Sequence, residues 1–110
     1  MWKSLGAVTI QGNSFPNLVR ANINLPDPTK PYPVNAIMFQ QRKANLGWIY
    51  IYDDPAGGDA HLIGSLAVPT NNTCPSATVS VVYAPAGIDP IWQWIGGDNP
   101  GEKCQVSVLL

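Results

Sequence analysis

Leu46-Gly47-Trp48-Ile49-Tyr50-Ile51-Tyr52 is the stretch that decides the fold. Trp48, Tyr50 and Tyr52 fall at every second position, and Ile49 and Ile51 fill the places between them. A period of two is the period of a strand, and a strict alternation of β-branched and aromatic residues has no helical counterpart. Both faces are large and apolar, which predicts a central strand or one covered by a partner. The turn residues Asp53-Asp54-Pro55-Ala56-Gly57-Gly58-Asp59 follow at once.

The same period recurs in both directions. Residues 4–11 read as a first strand and Leu18–Ile23 as a second, with Val19, Ala21 and Ile23 on one face. Val34–Gln41 is a third, with Ile37 and Phe39 opposite Met38 and Gln40. After the central strand come His61–Val68, Ala77–Tyr83 with Val79, Val81 and Tyr83 inward, and a short Ile91–Ile95 with Trp92 and Trp94 on one face. Pro85 to Pro90 breaks the chain, and Gly96 to Gly101 forms a long turn. The final strand, 105–110, turns Val106 and Val108 inward, with Cys104 in the same parity. Strands of this length, separated by turns, predict an all-β fold: an antiparallel β-sandwich or jelly roll of seven to eight short strands. A chain of 110 residues has room for one such domain, 1–110. Two additions to it are expected: a short N-terminal arm, 1–3, and a stiff surface excursion, 25–33, where Pro26, Pro28, Pro31 and Pro33 preclude a regular ladder.

Charged residues are 12% of the chain, about half the ordinary share, and there are 11 Pro and 10 Gly. That suits strands with Ser, Thr, Asn and Gln outside, and a surface partly covered by partners. Through Tyr52 the charges are Lys3, Arg20, Lys30, Arg42 and Lys43 against Asp27. From Asp53 onward they are Asp53, Asp54, Asp59, Asp89, Asp98 and Glu102 against Lys103. If the halves face different sides, unlike surfaces favour head-to-tail assembly; if they interleave in space, the asymmetry vanishes. Scattered cations and a pI near 5.5 exclude a nucleic-acid footprint. No run has the length of a membrane span, and the start has no secretory-signal pattern, so a protein made and kept in solution in a cytosol is expected. Cys74 and Cys104 could form one disulfide, whereas a cytosolic origin argues for free thiols.

No catalytic, cofactor or metal site is expected. His61 is the one histidine and has no matched nucleophile. Asp53, Asp54, Asp59 and His61 could be imagined around a cation, but the spacing matches no calcium loop and suits turn chemistry. The aromatic rows Trp48–Tyr50–Tyr52 and Trp92–Trp94 read first as core, then as protein-interface anchors, then as a platform for stacking sugar rings.

Several stretches carry a resemblance in cadence. They are Leu5-Gly6-Ala7-Val8-Thr9-Ile10, Asn35-Ala36-Ile37-Met38-Phe39-Gln40, Asn45-Leu46-Gly47-Trp48-Ile49-Tyr50-Ile51, and Gly101-Glu102-Lys103 followed by Gln105-Val106-Ser107-Val108. Together they resemble the small structural proteins encoded near the capsid genes of tailed bacteriophages. The four-proline segment and the tryptophans near Trp92 depart from that pattern. The resemblance implies a virion protein made in a host cytoplasm and carried on the capsid exterior. Its expected role is a non-enzymatic decoration or cement protein that binds major capsid protein and its own copies, as a homotrimer. The residues expected at protein contacts are Trp2, Lys3, Pro26, Pro28, Pro31, Tyr32, Trp92 and Trp94. The alternative is a carbohydrate-binding β-sandwich module of a tail or fibre.

Overall fold

The computed structural model describes residues 1–12, 16–27, 29–30, 32–69, 79–88 and 93–110. The expectations for Pro28, Pro31, Cys74, Ile91 and Trp92 lie outside them. Among the described residues, eight strands form two antiparallel four-stranded sheets. They are β1 (Trp2–Thr9), β2 (Asn17–Leu18), β3 (Val34–Gln41), β4 (Ile49–Tyr52), β5 (Leu62–Leu66), β6 (Val79–Ile88), β7 (Trp94–Gly97) and β8 (Lys103–Leu109). The first sheet has the order β1-β8-β3-β6 and the second β2-β7-β4-β5. The fold is a β-sandwich.

Alternation explains the core. Ile37, Phe39, Val106, Val108 and Cys104 from the first sheet, and Ile49, Ile51, Leu66 and Ile95 from the second, belong to one buried cluster between the sheets. β3 and β8 pair in the register Ile37↔Val108 and Phe39↔Val106, so the apolar parities of both strands coincide on one face. A one-residue slip would turn both outward, which is why the register is unique. At one end a buried polar link joins the layers. Gln41 Nε2 donates to the Gly47 carbonyl at 2.9 Å, while Asn45 Nδ2 donates to Gln41 Oε1 and, at 2.7 Å, to the Lys103 carbonyl.

Three expectations are corrected. The N-terminal arm is strand: Trp2 pairs with Leu109 and Lys3 with Val108, because β8 is long enough to offer them a ladder. The second strand stops at Leu18, and Val19–Asn22 coil into a 3-10 turn. There the Asn22 amide donates to the Leu18 carbonyl at 2.8 Å, a local bond that competes with a ladder. β6 runs through Pro85 to Ile88 at the edge of its sheet, where the register jumps from Ala36↔Tyr83 to Val34↔Ile88, so Pro85 stands opposite no β3 residue and its missing donor costs no ladder bond. Its register sets Val81 opposite Met38 and Ser80 opposite Phe39. The proline-rich excursion is fastened at both ends, since Leu25 and Tyr32 pack against the core and Asn24 N–H donates to the Leu5 carbonyl at 2.9 Å.

Candidate docking face

With Ile49 and Ile51 turned into the core, Tyr50 and Tyr52 must stand on the outside of the second sheet. The neighbouring strands complete the rungs of this face. Tyr52 lies opposite Trp94 on one side and Leu62 on the other; Tyr50 lies opposite Gly96 and Ser65. Leu18 is opposite Trp94 at the far edge. The Tyr50 and Tyr52 rings are 6.5 Å apart and tilted by 35°. Tyr52 is covered within this row, and Tyr50 and Trp94 are half-buried. Trp48, Leu62 and Ile63 remain 43%, 38% and 44% exposed. The register shift between Ile51 and Tyr52 brings Leu62 into the rung opposite Tyr52.

The loop that carries Trp48 is clamped from two sides. Asp98 and Trp48 exchange hydrogen bonds: Asp98 N–H donates to the Trp48 carbonyl at 3.0 Å, and Trp48 N–H donates to Asp98 Oδ2 at 3.2 Å. The Glu102 carboxylate accepts from the Leu46 and Gly47 N–H groups. Gly47 keeps this loop close to the next turn, since a β-carbon there would lie 2.9 Å from the end of the Asn99 amide and 3.1 Å from Asp98 Cβ. Gly97 serves the same end: a β-carbon would come within 2.9 Å of the Ile10 side chain and 3.1 Å of the Trp48 carbonyl oxygen. A rigidly held, partly exposed tryptophan loses little entropy on docking.

The charges around this face are acidic. Burial raises the Tyr50 hydroxyl above its ordinary value, and the charge and hydrogen bond of Asp98 raise it further. Burial likewise raises Tyr52, with added contributions from the charges of Asp59 and then Asp98. Asp53 and Asp54 follow Tyr52 directly, and His61 Nδ1 lies 3.1 Å from Asp53 Oδ1.

The residues expected at protein contacts do not converge on one surface. Trp94 belongs to the aromatic face. Trp2 and Lys3 are exposed on the edge strand of the other sheet, Pro26 is exposed in the excursion, and Tyr32 leans on the core. Pro28, Pro31 and Trp92 lie outside the described residues. Trp48, Tyr50 and Leu62, with Asp98 bonded to Trp48 and Ile63 next to Leu62 at the register shift, are not among the expected contact residues. The Trp48 row is visible in the sequence as a row, but alternation between two apolar faces does not say which one the other sheet covers.

Among the described residues, no group of three or more His, Cys, Asp or Glu is gathered to hold a metal ion, and no helix is long and apolar enough to cross a membrane. Cys104 is a free thiol in the core, where burial pushes it up to about 12, so it is no nucleophile at neutral pH. No protein-family model matches the chain, and comparison with curated proteins and with solved structures returns no match.

Proposed function

We propose that this chain is a non-enzymatic structural protein that works by docking the outer face of its second sheet on other protein chains. The setting proposed is a phage particle, with the chain as a decoration protein on a shell of major capsid protein. One observation carries the reading: Trp48, just before β4, and Leu62 and Ile63 of β5 are 43%, 38% and 44% exposed beside a sheet whose inner face fills the core. Covering what remains exposed of these three side chains is worth about 1 kcal/mol each. Together that is roughly a hundredfold in affinity.

The test is co-sedimentation with assembled shells of major capsid protein. The triple variant Trp48→Ala, Leu62→Ser, Ile63→Ser should bind about a hundredfold more weakly than the parent. Equal binding by parent and variant overturns the reading, as does a parent that does not bind.

A second reading, a carbohydrate-binding face, draws on the Asp98 carboxylate, which is bonded to the Tyr50 hydroxyl and to the Trp48 backbone. A carboxylate beside aromatic rings suits a sugar, whose hydroxyls need acceptors while its apolar face stacks. It predicts glycan quenching of tryptophan fluorescence that Trp48→Ala and Trp94→Ala abolish.

A further inference from the structure

The fold sorts charge by surface. Arg42 lies over the outer face of the first sheet, where its Nη2 donates to Gln105 Oε1 at 3.1 Å. Lys103 is opposite Thr9 on that sheet and is exposed, and Lys43 is exposed in the turn after β3. Arg42 and Lys103 also flank an open cleft of about 390 Å³ with Asn45 and Ala44. The Glu102 carboxylate lies in that cleft and accepts from two backbone N–H groups, and its one negative charge is outnumbered by Arg42 and Lys103. The second sheet is the opposite. Asp53, Asp54, Asp59 and Asp98 lie about its aromatic row, with His61 beside Asp53, while Arg20 follows β2 at the far edge of that sheet.

We infer that the aromatic face of the second sheet receives the Arg42–Lys43–Lys103 end of the first sheet of a second copy of this chain, in a head-to-tail contact. The inference rests on the proposal that this face docks on protein, and it names the occupant. Aromatic rings with carboxylates at their margin suit guanidinium and ammonium groups, which gain from the ring faces and from the acids together. The same chain supplies such groups on its first sheet, beside an open cleft. Because the two surfaces differ, the contact is heterologous: it closes into a ring or extends as a filament, and it leaves one unused face of each kind in an open dimer.

Analytical ultracentrifugation of three proteins tests this. The parent should associate in a concentration-dependent way. At about 1 M salt, where the screening length falls to about 3 Å, its dissociation constant should rise about tenfold or more. An acidic-face variant (Trp48→Ala, Asp59→Lys) and a basic-end variant (Lys43→Glu, Lys103→Glu) should each be monomeric with parental circular dichroism. Each retains one intact face, so their equimolar mixture should form a heterodimer and nothing larger. A monomeric parent, a variant that self-associates like the parent, or a mixture that fails to pair overturns the inference. If a variant fails to fold, the salt response of the parent decides alone. A monomeric parent that still binds capsid shells through Trp48, Leu62 and Ile63 would sink the self-docking inference and leave the proposed function standing.

Discussion

The two sheets obey one rule inside and different rules outside. On the outer face of the first sheet, Gln105 Nε2 donates to Ser4 Oγ at 2.6 Å and Arg42 donates to Gln105, so polar side chains satisfy one another across the strands. On the outer face of the second, the rungs are Trp94–Tyr52–Leu62 and Gly96–Tyr50–Ser65. Inner faces are dictated by folding, whereas outer faces are free to vary and so record use. A polar ladder is content in water; an aromatic row is not, unless something covers it.

The largest effect is expected in the core. Ile51→Ala should lower stability by about 2–5 kcal/mol, read as a fall in the urea midpoint at unchanged slope. Tyr50, its neighbour on the outer face, should cost clearly less on change to Ala; equal losses would mean that the outer row is structural. Next in size is the alkaline response. Cys104 is pushed from 9.0 up to about 12, so the folded thiol keeps its proton where the unfolded one loses it. Its contribution is fully present below pH 9, and stability is lost as pH rises from 9 towards 12. The loss should be on the order of a few kcal/mol, since each tenfold change in proton affinity between the folded and unfolded chain corresponds to about 1.4 kcal/mol. Tyr50 and Tyr52 act in the same direction above pH 10.0. Cys104→Val should flatten the first part of this decline in pH-dependent unfolding.

Smaller effects belong to the end where the layers meet. Asn45→Leu leaves the Lys103 carbonyl and Gln41 Oε1 without their donor and should cost about 1–3 kcal/mol in thermal unfolding. Smallest of all, Trp48→Ala should change stability by no more than about 1 kcal/mol, although it weakens docking. A larger loss would show that Trp48 is held for the fold.

How much of this is legible in the sequence depends on what competes with alternation. Val34–Gln41 reads with its true bounds and faces, because its pairing with β8 keeps the apolar parity. Leu18–Ile23 alternates equally well, yet Asn22 turns it into a 3-10 coil through a bond that periodicity does not register. Pro85 reads as a breaker because sequence does not reveal which strand is an edge. The docking face is half legible. The row at Trp48, Tyr50 and Tyr52 stands out, but its exposure depends on Ile49 and Ile51 joining Phe39 and Val106 in the core of the sandwich. Leu62 joins the row through a register shift that local patterning does not encode.

The pairing of Trp2 with Leu109, closed by the Leu110 N–H to Met1 carbonyl bond at 3.1 Å, has a mechanical consequence. β1 and β8 lie side by side and antiparallel, so Met1 and Leu110 leave the sandwich at the same end. Tension applied between these two residues would unzip the β1–β8 ladder one rung at a time, the geometry in which a sheet yields at low force. Load carried across the sandwich faces would meet all the rungs at once. A molecule built this way is weak as a tether and strong as a brace.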